Sequence, residues 1–132
     1  MSGTVHQRLV QLLITRMQAL GYTIVASDQN YAVLGGKQVP IPPTILRHSP
    51  DVLGARSEQP ILCVGEAKTP GDLNSRRTRE QLADFATLPD CLVIVAVPAS
   101  VQALFENMLQ GEGIARSPRF ECMAIPDALL GS

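Results

Sequence analysis

The sequence predicts an α/β fold, a central mixed β-sheet flanked by helices in the order α-β-β-β-α-β. Three observations predict it. An amphipathic helical period opens the chain. Two short β-rich runs near the middle read as a hairpin. A continuous apolar run, Cys91 to Val97, follows a second amphipathic helix. A run that is apolar at every position fits a strand buried on both faces, as helices on either side of a sheet provide.

The elements follow in order. Val5, Leu9, Leu12, Leu13, Met17 and Leu20 recur at helical spacing, with Gln7, Arg8, Gln11, Thr15 and Gln18 between them, so residues 4 to 20 form a helix that Gly21 stops. Tyr22 to Ala26 is a short strand. Asn30 to Leu34 is expected as its hairpin partner, with Gly35-Gly36 as a turn. Pro40, Pro42, Pro43 and Pro50 keep residues 37 to 50 extended and non-helical. Asp51 to Leu53 and Ile61 to Lys68 are strands joined by the polar turn Arg56 to Pro60, and Thr69-Pro70-Gly71 ends the second. Leu82, Phe85 and Ala86 mark one side of a helix from Ser75 to Thr87. After the buried strand, Val101, Leu104, Phe105, Met108 and Leu109 mark another helix, with Ser100 as its expected N-cap and Gly111 its end. Arg119 to Ile125 is a last strand. No repeat and no domain boundary interrupts the 132 residues, so one domain spanning 1-132 is expected.

Composition narrows the function. Hydrophobic residues make up 45% and charged residues 17%, which suits a folded core rather than a disordered segment. The net charge is −1, so any grip on nucleic acid must come from a local basic patch, a bound cation or a partner chain. The three cysteines, Cys63, Cys91 and Cys122, form no CxxC pair, which argues against a zinc site. An odd count without a basic, then apolar, leader predicts reduced thiols in a cytoplasmic protein. The longest apolar run is too short to span a bilayer. No P-loop and no GxGxxG is present, which leaves little support for a nucleotide-using enzyme.

The chemistry concentrates in Pro50-Asp51 and Glu66-Ala67-Lys68, with fourteen residues between the two acids. Strand side chains alternate, so Glu66 and Lys68 share a face while Ala67 points into the core. If Asp51 lies on the paired strand, its carboxylate meets that of Glu66. Two adjacent carboxylates repel and favour a divalent cation between them, for which oxygen donors suit Mg2+ or Mn2+, and the Ala67 carbonyl can add a ligand. A lysine beside such a cation can orient or deprotonate water and stabilise charge on a phosphate. The plainer readings are weighed beside this one. Pro-Asp is commonly just a turn. Glu66 and Lys68 as a solvated cross-strand pair is disfavoured by the apolar Ile61-Leu62-Cys63-Val64 that precedes them. His48 is expected to be structural, and the cysteines to be core residues.

Pro50-Asp51 followed by Glu66-Ala67-Lys68 resembles the PD-(D/E)XK nuclease superfamily, whose restriction-endonuclease-like core has the helix, three strands, helix, strand order found here over roughly residues 4 to 98. The resemblance implies a metal-dependent nuclease that hydrolyses phosphodiester bonds, DNA in preference to RNA. It implies that Asp51 and Glu66 bind Mg2+ or Mn2+ with Ala67, and that Lys68 assists the attacking water. Gln81, with Phe85 four residues on, looks like a variant of a motif some members carry on the helix after the lysine strand. One departure stands out. Many members have a glutamate on the first helix, where this chain has His6 and Gln7 and no acid, which leaves one metal or two open. Arg76, Arg77 and Arg79, just after the candidate site, are the candidate nucleic-acid contacts, and Arg77 is one helical turn from Gln81. So small a basic cluster also predicts a homodimer or a subunit of a larger complex. The alternative is a catalytically inactive module with the same fold that serves as an interaction or assembly subunit.

Overall fold

The computed structural model describes residues 2–28, 33–34, 37–72, 75–114 and 119–131, with the side chains of 2–3, 33–34 and 37–38 excepted. Its elements are α1 (Ser2–Ala19), β1 (Thr23–Ser27), β2 (Val33–Leu34), β3 (Lys37–Gln38), β4 (Val52–Ala55), β5 (Leu62–Ala67), α2 (Arg76–Phe85), β6 (Cys91–Pro98), α3 (Gln102–Gly111) and β7 (Phe120–Ile125). Five strands form one mixed sheet in the order β1-β4-β5-β6-β7. β1–β4 and β4–β5 are antiparallel, and β5–β6 and β6–β7 are parallel. The architecture is α/β, as the sequence predicts.

Strand alternation distributes the core between the two faces. Cys63, Ala67, Ile94 and Ala96 pack under α1 with Leu9, Val10, Leu13 and Met17. Val64, Val93, Val95 and Val97 pack against α2 and α3 through Leu82, Phe85, Phe105 and Leu109. β6 lies between parallel neighbours and is buried along nearly its whole length, as its unbroken apolar run predicts. Helix α1 approaches the sheet closely because Gly65 has no side chain there. A Cβ at Gly65 would stand 3.1 Å from Met17 Sδ. No helix among the described residues is long and apolar enough to cross a membrane.

Two expectations are corrected. The partner of β1 is β4, with Thr23 opposite Ala55 and Ser27 opposite Val52, rather than the segment from Asn30 to Leu34. Val33–Leu34 instead pairs with Lys37–Gln38 as a separate ribbon; Asn30 to Ala32 and Gly35-Gly36 lie outside the described residues. Nearness in sequence suggested the hairpin, but β4 is already paired on its other side with β5 and offers β1 the remaining edge. Ser100 is not an N-cap. It lies inside a short 3-10 turn, Ala99–Val101, and its hydroxyl donates to Asp127 Oδ2 at 2.6 Å while its N–H donates to Asp127 Oδ1 at 2.9 Å. A carboxylate from the C-terminal segment offers that serine a stronger, charge-assisted partner than a helix end does.

The β4–β5 connection is held by Arg56. Its guanidinium donates to the carbonyls of Leu20, Glu58, Gln59 and Pro60 and lies over the Tyr22 ring at 4.3 Å. The cysteines are free, with Cys63 and Cys91 buried, and burial pushes the Cys91 and Cys122 thiols up to about 11. They are therefore protonated core thiols rather than nucleophiles.

Candidate active site

Strand pairing assembles the site. Val52 is opposite Gly65, so Asp51, one step before β4, comes opposite Glu66 near the end of β5. The Asp51 N–H donates to Glu66 Oε2 at 2.7 Å, and the Ala67 N–H donates to Asp51 Oδ2 at 2.8 Å. Each acid is thus fixed by the other strand's backbone. Glu66 follows Val64 on the face beneath α2 and α3, where a core residue would otherwise sit, and is 1% exposed. Burial first, then the nearby charge of Asp51, raises its carboxyl well above the usual carboxylate range, and Lys68 only partly offsets this. A carboxylate in that position costs folding free energy, so packing alone does not explain its presence.

Lys68 leaves the strand end on the same face. Its amine donates to Gln81 Oε1 at 2.6 Å and stands 3.4 Å from Glu66 Oε1. Gln81 reaches it from α2, whose first turn is capped by Ser75 accepting from the Thr78 N–H at 3.3 Å. Lys68 and Gln81 are both buried. A buried ammonium whose direction is set by an amide oxygen is a preorganised donor.

The cleft over these groups has a volume of about 220 Å³. Asp51, Glu66, Ala67, Lys68 and Gln81 all line it, and so does Arg77. Ala67 contributes main chain, since its side chain packs under α1. Arg76 and Arg79 do not line it; they border a second groove together with Arg47. Helical geometry explains the split, because Arg77 and Gln81 are one turn apart on one stripe while Arg76 turns toward Glu80, with which it pairs at 2.9 Å. The basic cluster that looks continuous in the sequence therefore serves two surfaces.

The structure adds residues that sequence reasoning left without a role. His6 comes from α1, and its Nε2 stands 3.4 Å from Asp51 Oδ2. The hydrogen bond to Asp51 holds its imidazole above its ordinary pKa, assisted by the charges of Asp51, Asp28 and Asp72 and opposed by burial. The only signal for it was its place at the start of the first helix. Asp72 also lines the cleft, its Oδ2 accepting from the Thr69 N–H and hydroxyl at 2.8 and 2.9 Å. The Thr-Pro-Gly-Asp turn was the signal there. His48 is structural, as expected: its Nε2 is 2.7 Å from Asp84 Oδ2 and its ring meets Phe85 edge-on.

Among the described residues, no three His, Cys, Asp or Glu side chains stand as a ready-made cation shell. Asp51 and Glu66 are instead engaged with backbone N–H groups, His6 and Lys68. Comparison with protein-family models, with curated proteins and with solved structures returned no match to this chain.

Proposed function

We propose that the chain is a metal-dependent nuclease of the PD-(D/E)XK type, with a restriction-endonuclease-like core, that hydrolyses phosphodiester bonds in DNA rather than RNA. The observation that carries the proposal is the meeting of Asp51, Glu66 and Lys68 in one cleft with Glu66 almost wholly buried. The donors suit a hard cation. Two carboxylates and a main-chain carbonyl are oxygen ligands, and the Glu66 carboxyl, raised first by burial and then by the charge of Asp51, would be relieved by a cation beside it. Asp51, Glu66 and the Ala67 carbonyl are the groups that would hold Mg2+ or Mn2+, with the His6 imidazole beside Asp51. When bound, such a cation polarises a phosphate oxygen and lowers the pKa of water.

The protein's own part follows from the geometry. The Lys68 amine, directed by Gln81, donates to a phosphate oxygen and orients the attacking water. Its contact with Glu66 is longer than its bond to Gln81, 3.4 against 2.6 Å, so Glu66 can turn to a cation without unseating the lysine. Arg77, at the same cleft, takes a flanking phosphate. One arginine per chain gives weak, salt-sensitive binding, and a homodimer, or docking on a larger DNA-binding partner, would multiply the contacts. The free cysteines accord with a cytoplasmic setting. The second reading, an inactive assembly module, draws on the lack of a ready-made cation shell among the described residues.

A cleavage panel tests the function: single-stranded, duplex, flapped and branched DNA, and RNA, with Mg2+ or Mn2+. Cation-dependent cutting of DNA that Glu66→Ala abolishes is the expected result. No cutting of any substrate by a protein that folds normally would favour the assembly module. Binding supplies a separate prediction. Arg77→Ala weakens DNA binding and lowers the salt slope by about 1. Arg76→Ala, already neutralised by Glu80, has a smaller effect. Equal salt slopes for wild type and Arg77→Ala would remove Arg77 from the interface.

A further inference from the structure

Between β3 and β4 the chain makes a tight reversal at Leu46 and Arg47. Ile45 and His48 face each other across an isolated antiparallel bridge, the Ile45 N–H donating to the His48 carbonyl at 2.7 Å and the His48 N–H returning to Ile45 at 2.9 Å. Both residues between them have positive φ, 50° at Leu46 and 73° at Arg47. Two successive residues in the left-handed region are the mark of a type I′ turn, which favours Asn-Gly. Leucine is a poor choice there, because its bulk makes positive φ an outlier. Such a conformation persists only where its surroundings impose it. Here His48 does so. Its side chain is 10% exposed, bonded to Asp84 and packed on Phe85, and it bolts the turn to α2.

What the bolted turn holds out is an apolar side chain beside a cation. Leu46 is 45% exposed and the Arg47 side chain is 82% exposed. Nearly half of the Leu46 surface is left in water, so its burial is only partial and is a weak return for the strain. Two residues beyond Arg47 the chain enters the candidate site at Ser49, followed by Asp51. Arg47 also borders the groove that Arg76 and Arg79 line on α2. Acids line that groove too: Glu80, Asp84 and Glu112. Asp84, however, is held more closely by His48, at 2.7 Å, than by Arg47, at 3.5 Å. Arg47 can therefore turn to a phosphate without stranding the Asp84 carboxylate.

We infer that the Leu46–Arg47 turn is a nucleic-acid wedge: Leu46 enters the base stack next to the phosphodiester held in the cleft, and Arg47 grips the adjoining phosphate. Apolar side chains carried on a rigid support unstack bases in this way, and arginines beside them fix register through the backbone. The inference rests on the nucleic-acid reading above and adds a substrate geometry to it, a duplex opened locally at the site.

Two single variants, both suited to the turn, separate the two roles. They are compared on a duplex carrying 2-aminopurine, with Ca2+ in place of Mg2+, by anisotropy and by the rise in 2-aminopurine fluorescence that accompanies unstacking. Wild type is expected to bind and to raise the fluorescence. Leu46→Asn is expected to melt a few degrees higher, through relief of strain, and to bind within a few-fold of wild type while losing the fluorescence rise. Arg47→Gly is expected to melt no lower than wild type and to bind roughly tenfold more weakly, with its salt slope reduced by about 1. If wild type binds the duplex and Leu46→Asn unstacks it equally well, the wedge is wrong and the nuclease reading stands. If Leu46→Asn melts below wild type, the strain argument fails and the wedge with it. If wild type binds no nucleic acid of any kind, both readings fall together, and a protein partner for the turn becomes the alternative.

Discussion

Lys68→Ala is expected to lower the rate of DNA cleavage by about 10²- to 10⁴-fold while cation binding is kept or tightened. The two effects separate because, in the proposed mechanism, the lysine acts on water and phosphate, whereas the carboxylates hold the cation. Lys68 is 9% exposed, and its amine is fixed by Gln81 Oε1 at 2.6 Å, so in that mechanism it would meet the reacting groups already oriented. Removing it also removes the positive charge 3.4 Å from Glu66 Oε1, which leaves that carboxylate freer to engage a cation. Lys68→Met keeps most of the buried volume and serves as the companion variant should alanine loosen the packing. The check pairs single-turnover cleavage with calorimetric titration of Mn2+. Cleavage at the wild-type rate by a variant free of contaminating nuclease would remove Lys68 from the mechanism, and joint loss of cation binding would make its role structural.

The second large effect is on stability. A divalent cation at about a hundred times its dissociation constant is expected to stabilise the fold by about 2.7 kcal/mol, a rise in melting temperature on the order of 10 °C. The gain depends on pH, with a sign that the site dictates. Burial raises the Glu66 carboxyl above its ordinary value of 4.5. Above that value the unfolded chain releases a proton that the folded chain retains, so stability falls as pH rises toward the folded value. His6 acts in the same direction. Its imidazole is raised above 6.5 by Asp51, so its contribution is complete below 6.5 and is lost as pH rises through the folded value. Asp84 and Asp127 act oppositely in acid. Their carboxyls are lowered from 3.8 by His48 and by Ser100, so their contributions are present above 3.8 and lost as pH falls through the folded values. The cation-free protein should therefore be most stable in mildly acidic solution and weaken toward pH 8, where a cation should help most. Glu66→Gln should flatten the alkaline decline and lose the cation response. Melting curves from pH 4 to 8.5, with and without Mg2+ or Mn2+, test both expectations. A wild-type curve that neither declines above pH 6 nor responds to millimolar cation would refute the charge arrangement described for the site.

Some of this was decided within short stretches of chain. The helical period from Val5 to Leu20, the apolar run at Cys91 to Val97 and the alternation of Glu66, Ala67 and Lys68 are local patterns. They match α1, β6 and the facing of Glu66 and Ala67 toward opposite layers. Asp51 and Glu66 were legible as neighbours because one hairpin joins their strands. The sequence by itself therefore determined the main helices and the core strands and placed Glu66 and Lys68 on one face, since a repeat of 2 or 3.6 residues acts over a few neighbours. Tertiary structure decided the rest. β1 pairs with a strand more than twenty residues away, Ser100 answers to Asp127, and the three arginines divide between two grooves once α2 is docked. It also decided that Glu66 is buried beneath α2, that His6 reaches Asp51 from another layer, and that His48 holds Leu46 and Arg47 at positive φ. These features arise where segments far apart in sequence compete for the same burial and the same hydrogen-bond partners, and that competition is settled only when the layers pack.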